Sequence, residues 1–354
     1  MKVDLHTHIL PAEWPDLAAK YGHGDWPRLE MTGPGCGRMY AGARPFRDID
    51  DRCWDPARRM ADCDRHGVDL QVLSTVPVMF CYWAPPRHAL DLARLLNDHV
   101  AGVVRDNPGR FAGLGTVPLQ DADLAVGELE RCVKDLGLCG VQIGSHVNGL
   151  NLDDERIFPV LERAAQLGAA VFVHPWDMLA KDRMQNYFLG WLVGMPAETT
   201  LAICSVIFGG VLERLPDLRI AFAHGGGAFP MSIGRIDQGW KARPDLCGQH
   251  IQVPPSRYLR HLYVDSLVHD AEVLRYLIGV FGADRVALGT DYPFQLGEDE
   301  PGGLIDEMAD LDDATRDWVL GGTALAFLGI SPHAPGRAGF QPAPGAGETP
   351  ALPG

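Results

Sequence analysis

None of the eight cysteines, Cys36, Cys53, Cys63, Cys81, Cys132, Cys139, Cys204 and Cys247, is spaced C-x-x-C with another, so a dithiol redox motif and a clustered-cysteine metal site are both excluded. They read as reduced thiols, with Cys204 a small core residue. A membrane span needs about 18 or more consecutive apolar residues. The longest such stretch, Leu201–Leu212, is shorter and is broken by Ser205, Gly209 and Gly210. Basic residues are scarce: 31 Lys and Arg against 46 Asp and Glu leave a net charge of −15, which repels nucleic acid and anionic lipid, and no local basic stripe offsets it. There is no Walker A loop and no complete G-x-G-x-x-G for a nucleotide, nor a G-x-S-x-G for a serine nucleophile. At the N-terminus, Asp4 and His6 stand where a secretory signal carries its apolar core. A globular protein of the cytosol is expected, with neither nucleic acid nor membrane as partner.

What is present is an alternation of short apolar runs with helix-periodic segments. Eight strands are expected at Val3–Leu5, Leu70–Leu73, Phe111–Thr116, Gly140–Ile143, Ala170–Val173, Ile220–Ala223, Leu262–Asp265 and Arg285–Leu288. Most lack hydrophobic alternation, as strands buried on both faces do. Helices are expected at Pro56–Arg65, His88–Arg105, Asp121–Leu136, Asp154–Gln166, Ala197–Arg214, Asp270–Val280 and Asp313–Phe327. This order predicts an α/β chain folded as a (βα)8 TIM barrel over residues 1–330, with a doubly wound open sheet as the alternative. Residues 9–51 are too long for an ordinary connection. They read as an insertion after the first strand that caps the barrel mouth through Trp14, Trp26 and Phe46. The tail, 331–354, has 11 Pro or Gly and only Phe340 and Leu352 as large apolar residues, which predicts disorder.

The chemistry-bearing residues fall at strand ends. His6 and His8 flank Thr7 on the first strand, and residues two apart in a strand face the same way. His174 follows the fifth strand, His224 the sixth, and Asp291 lies just beyond the eighth. In a barrel all five sit at the C-terminal face, where catalytic groups gather. Imidazole nitrogens with one carboxylate suit zinc, which lowers the pKa of a neighbouring water to about 7, and the donor types alone admit cobalt, iron or nickel as well; zinc is the ion expected. His224-Gly225-Gly226-Gly227 also matches the oxyanion-hole run of some esterases, but without a nucleophile motif its glycines read as letting backbone and metal site approach closely, or as a tight turn. Arg47 and Arg235 are the cations suited to gripping a carboxylate, and each could equally be a surface residue paired with Asp48 or Asp237.

These residues together resemble the amidohydrolase superfamily. Within it, Trp54-Asp55-Pro56, Ser74–Phe80 (STVPVMF), Val141–Gly144 (VQIG), His174–Asp177 (HPWD), Trp191–Thr199 (WLVGMPAET), His224–Gly227 and Gly289–Phe294 (GTDYPF) are similar to a group of metal-dependent decarboxylases, over roughly residues 1–330. The resemblance implies one Zn2+ per subunit held by His6, His8, His174 and Asp291, with His224 as the catalytic base beside Asp291. It implies a dicarboxylate substrate gripped by Arg47 and by Arg235 of a neighbouring subunit, hence a homodimer, with Trp191 and Phe294 lining the pocket. It also implies a place in tryptophan catabolism. Gln295 departs from the family pattern, which has Pro there, and this implies a less rigid loop.

Overall fold

The computed structural model describes residues 1–331, so all of the expected tail but Ser331 lies outside the described residues. Eight parallel strands follow one another in chain order: β1 (Val3–Ile9), β2 (Leu70–Thr75), β3 (Phe111–Gly115), β4 (Gly140–Gly144), β5 (Ala170–His174), β6 (Arg219–Phe222), β7 (Leu262–Asp265) and β8 (Val286–Ala287). Each pairs with the next in parallel register. The sheet then closes on itself, because Leu5 N donates to Leu288 O, Asp291 N to His6 O and His8 N to Tyr292 O, each at 2.8 Å. That closure distinguishes the barrel from the open-sheet alternative and pins Asp291 to the strand that carries His6 and His8.

Apolar residues on both faces of the strands explain the ring architecture. Leu5, Val72, Leu114, Phe172 and Ala221 join one cluster, while Ile143, Val173 and Val264 pack with helical Leu129, Leu161 and Ile203 in another. The helices begin and end on the expected chemistry. Asp55 caps Pro56–His66 by accepting from Ala57 N, and Gly67, at φ 68°, ends it in the left-handed region that costs glycine least.

Three features differ from expectation. The insertion after β1 is ordered as a short helix, Leu17–Tyr21, and an antiparallel sheet of Pro27–Gly33, Cys36–Ala41 and Arg44–Asp50. Gly35 and Gly42 supply its turns at φ 69° and 60°, and buried Trp26 with Trp14 and Phe46 packs it against the loops after β2. Helix Phe229–Ala242 was not expected, because Gly234 and Gly239 weaken its periodicity. The segment Gly190–Phe208 is one continuous helical run of 19 residues with mean hydropathy 1.5, long and apolar enough to span a bilayer by length and composition. The reading of Leu201–Leu212 as the longest apolar stretch missed it, because the run begins upstream of Pro196 with a π-type turn, Gly190–Gly194. In the fold it is a ring helix whose Ala202, Ile203, Val206 and Ile207 are in the core.

Candidate metal centre and its cavity

Strand β1 carries an extra residue relative to β2 between Asp4 and Thr7, a bulge that re-aims the chain at His6. Thr7 faces away from the centre, donating from Oγ1 to Val72 O at 2.7 Å. His6 and His8 face inward and meet His174 from the end of β5 and Asp291 from the end of β8. One donor atom from each of the four lies within 4.8 Å of every other.

The protonation pattern shows what this arrangement is built for. His6 Nδ1 donates to Asp265 Oδ2 at 2.7 Å, His8 Nδ1 to Thr75 O at 3.0 Å and His174 Nδ1 to Pro175 O at 2.9 Å. With every Nδ1 donating to an oxygen, each neutral ring presents a bare Nε2 lone pair. Those lone pairs converge: His6 Nε2 is 3.2 Å from His8 Nε2, and His8 Nε2 is 3.0 Å from Asp291 Oδ1. His174 Nε2 and Asp291 Oδ1 are buried without a hydrogen-bond partner. Four acceptors facing one another in a dry site repel unless a cation sits among them, so the donor set fits a divalent metal. Burial raises the Asp291 carboxyl, but His8, His6 and His224 outweigh it and hold the group far below the usual carboxylate range. Burial, followed by the neighbouring His224, His8 and His6, pushes His174 well down and keeps its ring neutral.

His224 stands beside these four without joining them. Its Nε2 is 4.0 Å from Asp291 Oδ2 and its Nδ1 is buried without a partner. Burial, then the nearby His6, lowers it to about 4. Its backbone lies at φ 57° and opens the Gly225–Gly227 turn, where a β-carbon on Gly227 would collide with Pro196 O. The glycine run is therefore the tight turn expected.

Asp265, at the end of β7, escaped the sequence reading although it occupies the same strand-end position as the other site residues. It accepts from His6 Nδ1 and also from the amides of His224 (2.9 Å) and Gly225 (2.8 Å). One carboxylate thus sets the tautomer of a metal-binding imidazole and the placement of His224. Burial raises it, but the His6 hydrogen bond prevails and keeps it ionised. Asp265→Asn is expected to weaken metal affinity by about 10- to 100-fold with the barrel intact, checked by competitive chelator titration. Arg59 was also missed. It is fully buried and donates to His8 O at 2.7 Å, Thr7 Oγ1 at 2.9 Å and Gln71 Oε1 at 2.9 Å, bracing β1 from behind.

Above the centre opens a cavity of about 620 Å3 lined by His224, Asp291, Arg47, Trp191 and Phe294. A narrow recess lined by His8, His174, Asp291, Arg47 and Phe294 leads inward from it. Arg47, on the last strand of the capping sheet, lies over the Phe294 ring at 4.2 Å. It is not paired with Asp48, which binds Arg38 at 2.5 Å, and no carboxylate hydrogen-bonds to it among the described residues. Burial lowers the Arg47 pKa, with Asp291 acting in the opposite direction. Trp191 stacks on Phe188 at 4.8 Å between ring centres. Arg235 is not brought into this cavity. It is exposed on helix Phe229–Ala242, and Asp237 instead accepts from Ser256 N. Gln295 lines the outer cavity wall.

The amidohydrolase family profile matches residues 3–330. The chain belongs to the amidohydrolase family. It is 55% identical over 333 residues, 94% of this chain and 93% of the relative, to a 2-amino-3-carboxymuconate-6-semialdehyde decarboxylase of Dictyostelium discoideum. Among solved structures it is similar to a 5-carboxyvanillate decarboxylase from Sphingomonas paucimobilis, with a TM-score of 0.74 and 31% identity over 79% of this chain and 85% of that one. It is also similar to the 5-carboxyvanillate decarboxylase of Novosphingobium aromaticivorans, complexed with manganese and 4-hydroxy-3-methoxy-5-nitrobenzoic acid, with a TM-score of 0.73 and 26% identity over 79% of this chain and 82% of that one. The barrel read from the sequence is thus the amidohydrolase barrel, and its His3Asp cluster is a divalent-metal site.

Proposed function

We propose that this chain is a carboxy-lyase that removes CO2 without oxidation from 2-amino-3-carboxymuconate 6-semialdehyde, giving 2-aminomuconate 6-semialdehyde. The observation that carries the reading is a carboxylate-free arginine, Arg47, that borders both the recess lined by His8, His174 and Asp291 and the cavity lined by His224 and Asp291. The 55% identity to a decarboxylase of that substrate supports the choice of substrate. The place this gives the chain is the cytosolic kynurenine route of tryptophan breakdown, where it draws substrate away from quinolinate and NAD synthesis.

His6, His8, His174 and Asp291 would hold the metal, for which zinc is proposed from the imidazole-rich donor set. When bound, the metal supplies positive charge that lowers the pKa of neighbouring water and polarises substrate oxygens. The chain's own groups do the rest. Arg47 grips a substrate carboxylate, its guanidinium lying over the Phe294 ring. Trp191 and Phe294 confine the conjugated chain and exclude water. His224, neutral because it is buried, takes a proton from water at the cavity floor. The hydroxide so formed adds to the conjugated chain beside the carboxylate-bearing carbon, which takes the proton from His224. The bond to the departing carboxylate then breaks as CO2 leaves, its electron pair re-forms the carbon–carbon double bond, and the hydroxide is expelled and reprotonated to water.

A homodimer completes the proposal, with Arg235 entering the partner's cavity. Its support is an exposed apolar surface on the same side of helix Phe229–Ala242, where Met231 lies one turn before Arg235 and is 72% exposed, together with exposed Leu192 and Val193. Truncating a buried charge that pairs with a ligand costs about 2–5 kcal/mol. Arg47→Ala is therefore expected to lower kcat/KM by at least about thirtyfold, whereas a hydrolase of neutral substrates would barely change. Mixing Arg47→Ala with Arg235→Ala protein should restore activity through hybrid dimers with one intact site, and no recovery after confirmed exchange would count against the shared site.

A further inference from the structure

The capping insertion meets the helical ring at a second pair of imidazoles, which lines neither the cavity nor the recess over the metal centre. His23, in the turn after helix Leu17–Tyr21, has its Nε2 3.3 Å from Nδ1 of His88, which stands in the first turn of helix Pro86–Asp106. Neither ring has another hydrogen-bond partner among the described residues. The turn is built to hold this approach. Gly22 and Gly24 flank His23 at φ 73° and 89°, and a β-carbon on Gly24 would collide with the Trp83 ring. The Tyr21 ring stacks on His88 at 3.8 Å between ring centres, and its hydroxyl donates to Asp91, which also accepts from Lys20 Nζ at 2.9 Å. His23 is thus exposed yet fixed, and His88 is half-buried.

The spacing of the two nitrogens suits a shared ion better than a direct hydrogen bond. Hydrogen bonds from N–H groups span about 2.7–3.2 Å. Two nitrogens on one tetrahedral zinc, each about 2.0–2.1 Å from it, stand roughly 3.3–3.4 Å apart. In the buried metal centre the Nε2 atoms of His6 and His8 are 3.2 Å apart, so the surface pair repeats a ligand spacing this chain already uses. The positive end of the helix that carries His88 opposes a cation, and Asp91 offsets it from one turn further on. Hydrogen bonds from Lys20 and Tyr21, with His88 nearby, hold the Asp91 carboxyl below the usual carboxylate range, so its charge stands beside the pair.

We propose that His23 and His88 form a second, weaker site for a zinc-class divalent ion, with water in the remaining positions, that clips the capping insertion to the ring. Imidazole donors select zinc and its first-row neighbours over calcium and magnesium. The site is weaker than the buried centre because the protein supplies two donors instead of four and water reaches it. The last strand of the same insertion carries Arg47, so the clip bears on how firmly the cap is seated over the cavity. The test is a calorimetric titration of the metal-stripped full chain with Zn2+ alone, for the wild type, His23→Ala, His88→Ala and His174→Ala. His23 is exposed, so its replacement should leave the zinc-free Tm unchanged.

The wild type is expected to bind a tight equivalent of zinc and then a weaker one. His23→Ala and His88→Ala should lose the weaker equivalent and keep the tight one, whereas His174→Ala should weaken the tight equivalent and keep the other. With the buried centre already filled, zinc at about a hundredfold above the weaker dissociation constant should raise the wild-type Tm by roughly 2–4 °C and leave that of His23→Ala unmoved. A single equivalent in the wild type would reduce the pair to a hydrogen bond and overturn the proposal. So would a weaker equivalent that survives both His23→Ala and His88→Ala, or a tight one that disappears with His23→Ala. A tight equivalent untouched by His174→Ala would count against the buried centre alone, and His23→Ala would still decide the surface site.

Discussion

Replacing His174 with alanine is expected to lower kcat/KM by at least about a thousandfold, because Lewis-acid stabilisation is worth several kcal/mol and this substitution removes one of the four groups that would hold the metal, whose unpartnered Nε2 belongs to the donor cluster. Chelation of the wild type should have the same effect. The two differ in reversal, since added zinc should restore the chelated wild type fully and leave His174→Ala impaired. Metal content by atomic emission, read beside CO2 release, makes the comparison. Unimpaired turnover by a metal-free preparation would contradict the account.

His224→Ala is expected to reduce kcat about 10²- to 10⁴-fold with metal content unchanged, the range for losing a positioned base. The distinguishing readout is the pH profile. His224 is neutral in the fold until the pH approaches about 4, so the wild type should lose activity on the acid side as this ring protonates, and the residual activity of the variant should lack that limb. The same shift has a consequence for stability. Between 6.5 and about 4 the unfolded chain binds a proton at this position that the folded chain does not, so the stability of the metal-free protein falls as pH drops through that window. A variant that keeps its acid limb, or that loses its metal, would remove His224 from the role of base.

Much of this was legible in the sequence because buried parallel strands advertise themselves. Ala-Val-Phe-Val before His174 and Ile-Ala-Phe-Ala before His224 are continuous apolar runs that stop abruptly at an imidazole, and once eight such runs are placed in a barrel their polar ends must share one face. The closeness of Asp291 to His6 and His8 depends on β8 closing against β1, so it was accessible only through the fold. Asp265 was passed over because it reads as the last residue of a strand, and a carboxylate's hydrogen bonds to His6 and to amides 40 residues away carry no local signal. Arg59 sits in Pro56–His66, a charged helix that gives no sign that one of its arginines is fully buried. The capping sheet was hidden for a different reason: its strands are largely solvent-facing and carry Gly, Pro and Arg, so alternation is weak and the register rests on its turns. For Arg47 the sequence left open a pairing with Asp48 that only the three-dimensional competition from Arg38 decides. The position of Arg235 outside its own chain's cavity could likewise not be read from spacing.

The most direct test of the central claim is the release of CO2 from freshly generated 2-amino-3-carboxymuconate 6-semialdehyde by the purified, zinc-loaded protein, measured against the same mixture without it. The account predicts protein-dependent CO2 release in step with substrate loss. No release above the protein-free rate, from folded protein with its metal in place, would contradict the decarboxylase assignment while leaving the barrel and its metal site standing.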